Sequence, residues 1–259
     1  MAELNDAHRA ALADLILSTA DDKLMLGHRN SDWTGLAPIL EEDIAFSAFA
    51  QDDMAHAAAL FELAGTLLDC SADQLAFGRE PSAYRCAQIV LMDDTFNWAT
   101  AITRLFLFSE FNLLRYGRMA RSSYGPLSEL ASRLASEQQI VLEHVLDWVG
   151  RLGQGTEESR QKMQASIDDL APHAVRLFEP VEDQDVLESE GLYPTDDECM
   201  FDRWVKRIRM TTETAGLTFN PPPFDAEARG GRRGEHDAVL PSVLDEMCEV
   251  FRTDPDASW

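Results

Sequence analysis

Residues 38–67, PILEEDIAFSAFAQDDMAHAAALFELAGTL, decide the fold of this chain. Within them apolar and ionisable side chains recur at alternating spacings of four and three residues, at Glu42, Phe46, Phe49, Asp53, His56, Leu60, Leu63 and Leu67. This spacing places all of these side chains on one face of a single long helix. Three of them are ionisable, and burying such groups is costly unless they are paired or bind a metal.

The sequence on both sides of this stretch also has a helical pattern. The periodicity predicts long helices at about 6–28, 94–118 and 127–152, with loops at about 69–84 and 122–126. Further helices are predicted at about 156–180, 195–215 and 238–252, with Thr156 as an N-cap, a capping box at 195–198 and an acidic connector at about 182–198. We therefore predict one all-α domain over residues 1–259, with a core bundle of four long helices at about 6–152 and C-terminal helices and a tail at about 156–259.

The chain is strongly acidic. Its 259 residues include 46 Asp and Glu against 22 Lys and Arg, which gives a formal net charge of −24. Nucleic acids and anionic membrane surfaces would be repelled, so neither is expected as a partner. Among the basic residues only Lys23, Lys162 and Lys206 are lysines. An acid excess with so little lysine predicts a protein adapted to concentrated salt, and an ordinary acidic cytosolic protein is the alternative.

The cysteines are far apart and form no C-x-x-C motif; they are Cys70, Cys86, Cys199 and Cys248. This spacing argues against a zinc knuckle or a thioredoxin-like dithiol and predicts reduced thiols, as is usual in the cytosol. The N-terminus has no basic segment followed by an apolar run, and no apolar run approaches the roughly 18 residues of a membrane span. We expect a soluble cytoplasmic protein.

Part of the sequence resembles half of a metal-binding pattern. Ferritin-like di-iron proteins take one Glu from each of two helices and a Glu-x-x-His motif from each of the other two. Asp53 and His56 have the spacing of that motif, with the shorter Asp in place of Glu. The second copy, expected in the helix at 127–152, reads EQQIV at 137–141 and has no imidazole one turn after a carboxylate. His144 lies two turns, or about 10 Å, beyond Glu137.

We therefore expect no metal in this chain and regard the candidate positions as vestigial: Glu42, Asp53, His56, Glu110 and Glu137. The favoured interpretation is that Asp53 and His56 form a buried, mutually bonded pair and that Glu42 and Glu137 join the same network. Glu110, on an otherwise apolar helix, is either a metal carboxylate in a working homologue or a surface or interface charge. No catalytic or cofactor-binding residues are expected, since phosphate-binding and serine-hydrolase motifs are missing from the sequence.

Several long segments of the sequence are similar to those of a known family. They are LMLGHRNSDWTGLAPILEEDIAFSAFAQDDMAH at 24–56, RLGQGTEES at 151–159, LFEP at 177–180, and the segment from GGR at 230–232 through His236 to LDEM at 244–247. On these segments the chain resembles the C subunits of the phenylacetyl-coenzyme A monooxygenases, the ring epoxidases of phenylacetate degradation. The resemblance covers nearly the whole chain.

The resemblance implies a ferritin-like helical protein that pairs with a homologous catalytic A subunit. It also implies that the A subunit holds the di-iron centre, that the complex epoxidises the ring of phenylacetyl-CoA, and that a separate reductase delivers electrons from NADPH. The C subunit of this family is regarded as structural. Here Asp53 stands where many members carry Glu, while Gln138 and Val141 replace the second carboxylate and imidazole. These departures agree with a non-catalytic scaffold.

Two other functions remain open at this point. One is a self-sufficient di-iron carboxylate oxygenase that uses the five candidate positions, and the other is a stand-alone helical adaptor. The glycine-rich turn at 230–234 is a further candidate element, because its Arg232 and Arg233 could contact the phosphates of CoA. We favour a tail that clasps the partner protein.

Overall fold

The computed structural model describes residues 4–92 and 96–254. Within these ranges the chain forms α-helices joined by loops and short 3₁₀ turns, without any strand. The long helices are α1 (Asp6–Ser31), α2 (Leu40–Leu68), α5 (Trp98–Met119) and α6 (Gly125–Gln154). The shorter ones are α3 (Ala72–Phe77), α4 (Gln88–Leu91), α7 (Glu157–Val175), α8 (Gln184–Ser189), α9 (Met200–Thr214), α10 (Val239–Met247) and α11 (Glu249–Thr253).

The four long helices form two packed pairs. α1 lies along α2 and α5 lies along α6, while α7 and α9 pack on the α5 side of the bundle. Buried apolar side chains from all of these helices form one continuous core. The predicted all-α, ferritin-like bundle is therefore confirmed. In the part of the chain that the structure describes, no helix combines the length and apolar character needed to cross a bilayer.

The local sequence explains several helix ends. The side chain of Asn5 accepts a hydrogen bond from the His8 amide at 2.8 Å and caps α1. Thr156 caps α7 as predicted, accepting from the Ser159 amide at 3.1 Å. Each cap satisfies an amide that has no partner within its own helix.

Three short segments differ from the prediction. The expected loop at 69–84 contains α3, and the expected connector at 182–198 contains α8. Both helices are only about one and a half turns long, too short for periodicity to reveal, and each has a buried leucine that anchors it to the core, Leu75 and Leu187. The predicted C-terminal helix at 238–252 is interrupted at Cys248, between α10 and α11.

One predicted helix start is also wrong. The capping box at 195–198 does not begin a helix, since α9 starts at Met200. The Asp196 side chain instead binds Arg121 and Arg203, so this acidic residue serves a tertiary contact. The third long helix begins at Trp98, whereas the start predicted at position 94 lies outside the described residues.

Candidate functional site

A cluster of polar side chains occupies the centre of the bundle; we call Lys23, Asn30, Asp53 and Gln138 the central cluster. The Lys23 ammonium donates to Asp53 Oδ1 at 2.6 Å and to Gln138 Oε1 at 2.7 Å. Asn30 Nδ2 donates to Asp53 Oδ2 at 3.0 Å. Both carboxylate oxygens of Asp53 are therefore bonded to side chains of α1. Gln138 connects α6 to this cluster through its bond with Lys23.

The Lys23 side chain is only 1% exposed, so its charge depends on these partners. Burial alone would lower the pKa of Lys23, but the Asp53 carboxylate outweighs it and the pKa is raised. The ammonium is thus held in its charged form, as one half of a buried ion pair. The Lys23 ammonium therefore contacts Asp53, the carboxylate that would bind iron in the di-iron pattern.

Two imidazole–carboxylate contacts join α2 to α6 beside this cluster. His56 Nε2 lies 2.5 Å from Glu137 Oε2, and His144 Nε2 lies 2.8 Å from Glu42 Oε2. Burial, together with the Lys23 charge, lowers the pKa of His56 despite the opposing effect of Glu137. A neutral imidazole that donates from Nε2 is therefore favoured at position 56. Glu137 itself is open to solvent, with 43% of its side chain exposed.

The expected contact between Asp53 and His56 is wrong. Each is bonded to a residue on another helix, Asp53 to Lys23 and His56 to Glu137. The side chains of residues three apart lie one above the other on a helix, but here the neighbouring helices offer charged partners that satisfy each group separately. Glu42 and Glu137 bind imidazoles, and neither bonds to Asp53.

Glu110 is not a surface charge. It is 3% exposed and bonds to Arg207 of α9 at 2.5 Å. Burial raises the pKa of Glu110, and the Arg207 guanidinium opposes that effect. This carboxylate therefore fastens α9 to α5.

Sequence reasoning missed Lys23 and Asn30. A signal for both exists, because Thr19, Lys23, Leu26 and Asn30 continue the inward face of α1 at spacings of four, three and four. A lysine on such a face needs an anion nearby. The second helix offers that anion in Asp53.

A second buried charge cluster lies next to the first, around Asp22 of α1. Asp22 Oδ2 accepts from Arg115 of α5 at 2.8 Å and from Arg232 at 2.7 Å. Burial would raise the pKa of Asp22, but the Arg232 and Arg115 guanidiniums outweigh it and lower the pKa. The expectation that Arg232 contacts CoA phosphates is therefore wrong, since its side chain is 2% exposed and bound inside its own chain. The clasping of a partner protein by this tail stays a prediction.

The donor set does not fit a di-iron centre. Such a centre needs about four carboxylates and two imidazoles that converge. Within residues 4–92 and 96–254, no three His, Cys, Asp or Glu side chains come together in a way that could hold a metal ion. Asp53 is engaged by an ammonium, and the amide of Gln138 stands where a carboxylate would be needed.

The whole chain, residues 1–259, matches the family model described as "Phenylacetic acid catabolic protein". The chain belongs to this family. It is 28% identical over 244 residues to the C subunit of the 1,2-phenylacetyl-CoA epoxidase of Escherichia coli (strain K12), covering 94% of this chain and 97% of that relative. It is 24% identical over 239 residues to the A subunit of the same epoxidase and organism, covering 90% of this chain and 76% of the relative. These matches confirm the resemblance to the C subunits that the sequence segments indicated.

Proposed function

We propose that this chain is the non-catalytic, structural subunit of a multicomponent di-iron monooxygenase that epoxidises the ring of phenylacetyl-CoA. It pairs with a catalytic A-type chain and stabilises it. The di-iron centre lies in that partner, and a separate reductase supplies electrons from NADPH. The complex works in the cytoplasm, in keeping with the four cysteines of this chain, all of them free thiols.

The position of Lys23 carries this proposal. Its ammonium compensates the Asp53 carboxylate in the middle of the bundle, so the buried charge is balanced without a metal ion. Because Lys23 replaces the charge of a metal ion, the bundle can fold stably without one. Such a bundle suits a protein whose task is to hold another chain in place.

The similarity to two different members of one complex supports the pairing. Both relatives are named as components of a single epoxidase, and this chain resembles both along most of its length. Chains of common ancestry share a fold, and homologous chains commonly assemble through related surfaces. A heteromeric pair with an A-type chain follows from the proposal.

The first test measures metal and activity in the chain expressed alone. We expect little iron by elemental analysis and no oxidation of phenylacetyl-CoA, because the central cluster lacks the converging donors. Reconstitution with the reductase and the catalytic A-type chain should restore turnover, and omission of this chain should abolish it. About two irons per lone chain would support the self-sufficient oxygenase instead.

A pair of variants tests whether the chemistry involves this chain. His56→Ala is expected to leave turnover of the assembled complex nearly intact, and His173→Ala on α7 serves as the matched control. Assembly is checked by size-exclusion chromatography before turnover is compared. If turnover collapses in an assembled His56→Ala complex and not in the His173→Ala complex, then this chain takes part in catalysis. Failure of the wild-type chain to bind the A-type chain would favour the stand-alone adaptor.

A further inference from the structure

A cavity of about 250 Å³ lies beneath the segment 176–201, and none of the central cluster lines it. Its floor is formed by α1 and α5, through Ser18 and Arg115. The exposed thiol of Cys199 lies at its rim. The function proposed above makes no use of this space.

One wall of the cavity is aromatic. The ring centroid of Phe178 lies 5.0 Å from that of Phe111 and 5.2 Å from that of Phe201. Phe201 in turn stacks on Phe224 with centroids 5.6 Å apart. Edge-to-face and stacked rings at these distances form a continuous surface that suits a flat apolar group.

The other side of the cavity carries two arginines with unused donors. Phe111, Arg115 and Arg118 follow one another on the same face of α5, and both arginines are buried. Arg118 uses Nε for Pro194 O at 2.9 Å and Nη2 for Glu188 and Tyr193 O. Its Nη1 and the buried Nε of Arg115 have no hydrogen-bond acceptor among the described residues.

Three of the four carboxylates that line the cavity are already compensated, and the fourth, Glu198, is exposed to solvent. Glu188 is bonded to Arg118, and Glu179 accepts from the Gly230 amide and lies 3.5 Å from Arg176. Asp196 is bonded to Arg121 and Arg203. Of the two guanidinium donors without an acceptor, Arg115 Nε is buried, and buried donors without acceptors are rare in proteins.

We propose that this cavity binds a small aromatic carboxylate. The ring of the ligand packs against Phe178 and Phe201, and its carboxylate accepts from Arg118 Nη1, since guanidinium groups bind carboxylates through charge-assisted hydrogen bonds. The volume of about 250 Å³ lies just below the usual range of roughly 300–1,000 Å³ for ligand pockets. It therefore fits a single ring with one acid group and excludes a whole coenzyme A thioester.

The test titrates the full chain with benzoate and follows binding by ligand-observed NMR. Benzamide has the same shape without the charge, and it should bind at least about tenfold more weakly. Inorganic phosphate should not displace benzoate, because it lacks the ring. Saturable benzoate binding with this ranking is the expected result. Absence of saturable binding, equal binding of benzamide, or displacement by phosphate would each overturn the proposal.

Two further measurements locate the ligand. Benzoate should slow alkylation of Cys199 by iodoacetamide, as mapped by mass spectrometry, and leave the rate at half-buried Cys70 unchanged. Met200→Trp places a large ring in the cavity and should weaken benzoate binding about tenfold. The same substitution at Met210, 67% exposed on the same helix and outside the cavity, should have no effect. Benzoate that binds without protecting Cys199, or equally well to the Met200→Trp variant, occupies another site and contradicts the proposal.

Discussion

At the scale of single residues, the ion pair between Lys23 and Asp53 is the most consequential contact in the bundle. Lys23→Met keeps most of the side-chain volume but leaves the Asp53 carboxylate buried without its cation. Losing one partner of such a pair costs about 3–5 kcal/mol of unfolding free energy. Urea denaturation measures the loss. Adding Asp53→Asn to Lys23→Met should restore part of it, because the stranded charge is then gone.

The control for this prediction is Lys162→Met. Lys162 bonds to Glu158 at 2.7 Å on the exposed face of α7, where water solvates both charges. The same substitution there should change stability little, because exposed pairs are weak. Equal effects at the two positions would mean that the central cluster is hydrated and that Lys23 does not replace a metal charge.

His56 gives a second residue-scale prediction, in the pH dependence of stability. Its pKa in the folded chain lies below the ordinary value of 6.5, because of burial and the Lys23 charge. As the pH falls below that ordinary value, the unfolded chain takes up a proton that the folded chain resists, so stability decreases. His56→Gln should therefore show a flatter profile from about pH 7 to about pH 5 than the wild type. An unchanged slope in His56→Gln would contradict the assignment.

At the scale of elements, the glycine-rich turn at 230–234 fixes the C-terminal segment to the bundle. A Cβ on Gly231 would lie 1.9 Å from the Cys86 carbonyl oxygen, so only glycine fits. Gly234 has a φ of +75°, a left-handed conformation that glycine adopts without strain. These two positions bring the backbone close enough for Arg232 to reach Asp22 inside the core.

Removal of that arginine should release the C-terminal segment. Arg232→Ala leaves Asp22 with only Arg115 as a charged partner and should cost about 3–5 kcal/mol. Hydrogen exchange should then accelerate in α10 and α11, which follow the turn. Arg233→Ala is the matched control, since Arg233 is half-buried and its contacts are the Pro180 carbonyl and the exposed Glu182. Equal exchange in both variants would show that Arg232 does not hold this segment.

The elements also show how far the sequence predicts this molecule. The face that begins at Glu42 predicts α2 correctly, because a long helix repeats its pattern many times. α3 and α8 escape prediction, since their helical state depends on burying Leu75 and Leu187 against other parts of the chain. The candidate site shows the same limit. Spacing brings Asp53 and His56 to one face, but their partners come from α1 and α6, which only the tertiary structure identifies.

At the scale of the whole molecule, the charge of −24 lies mainly on the surface. The buried aspartates have basic partners, with Asp21 bound to Arg79, Asp22 to Arg115 and Arg232, and Asp53 to Lys23. The unbalanced acids are therefore solvated. Their mutual repulsion opposes the folded state more than the unfolded one, because folding brings them closer together.

Salt should therefore stabilise this protein. At molar ionic strength the screening length falls to about 3 Å, which removes most repulsion between exposed carboxylates and leaves the buried pairs largely unaffected. Thermal melts in dilute buffer and in molar KCl should give a higher midpoint in salt, with each kcal/mol gained adding about 2–4 °C. The matched variant combines Glu41→Gln, Asp52→Asn and Glu62→Gln on the exposed face of α2. It should be more stable than the wild type in dilute buffer and should gain less from KCl, because part of the repulsion is already gone. A wild-type midpoint that salt leaves unchanged or lowers would show that surface repulsion does not limit the stability of this chain, and the inference of salt adaptation would then be wrong.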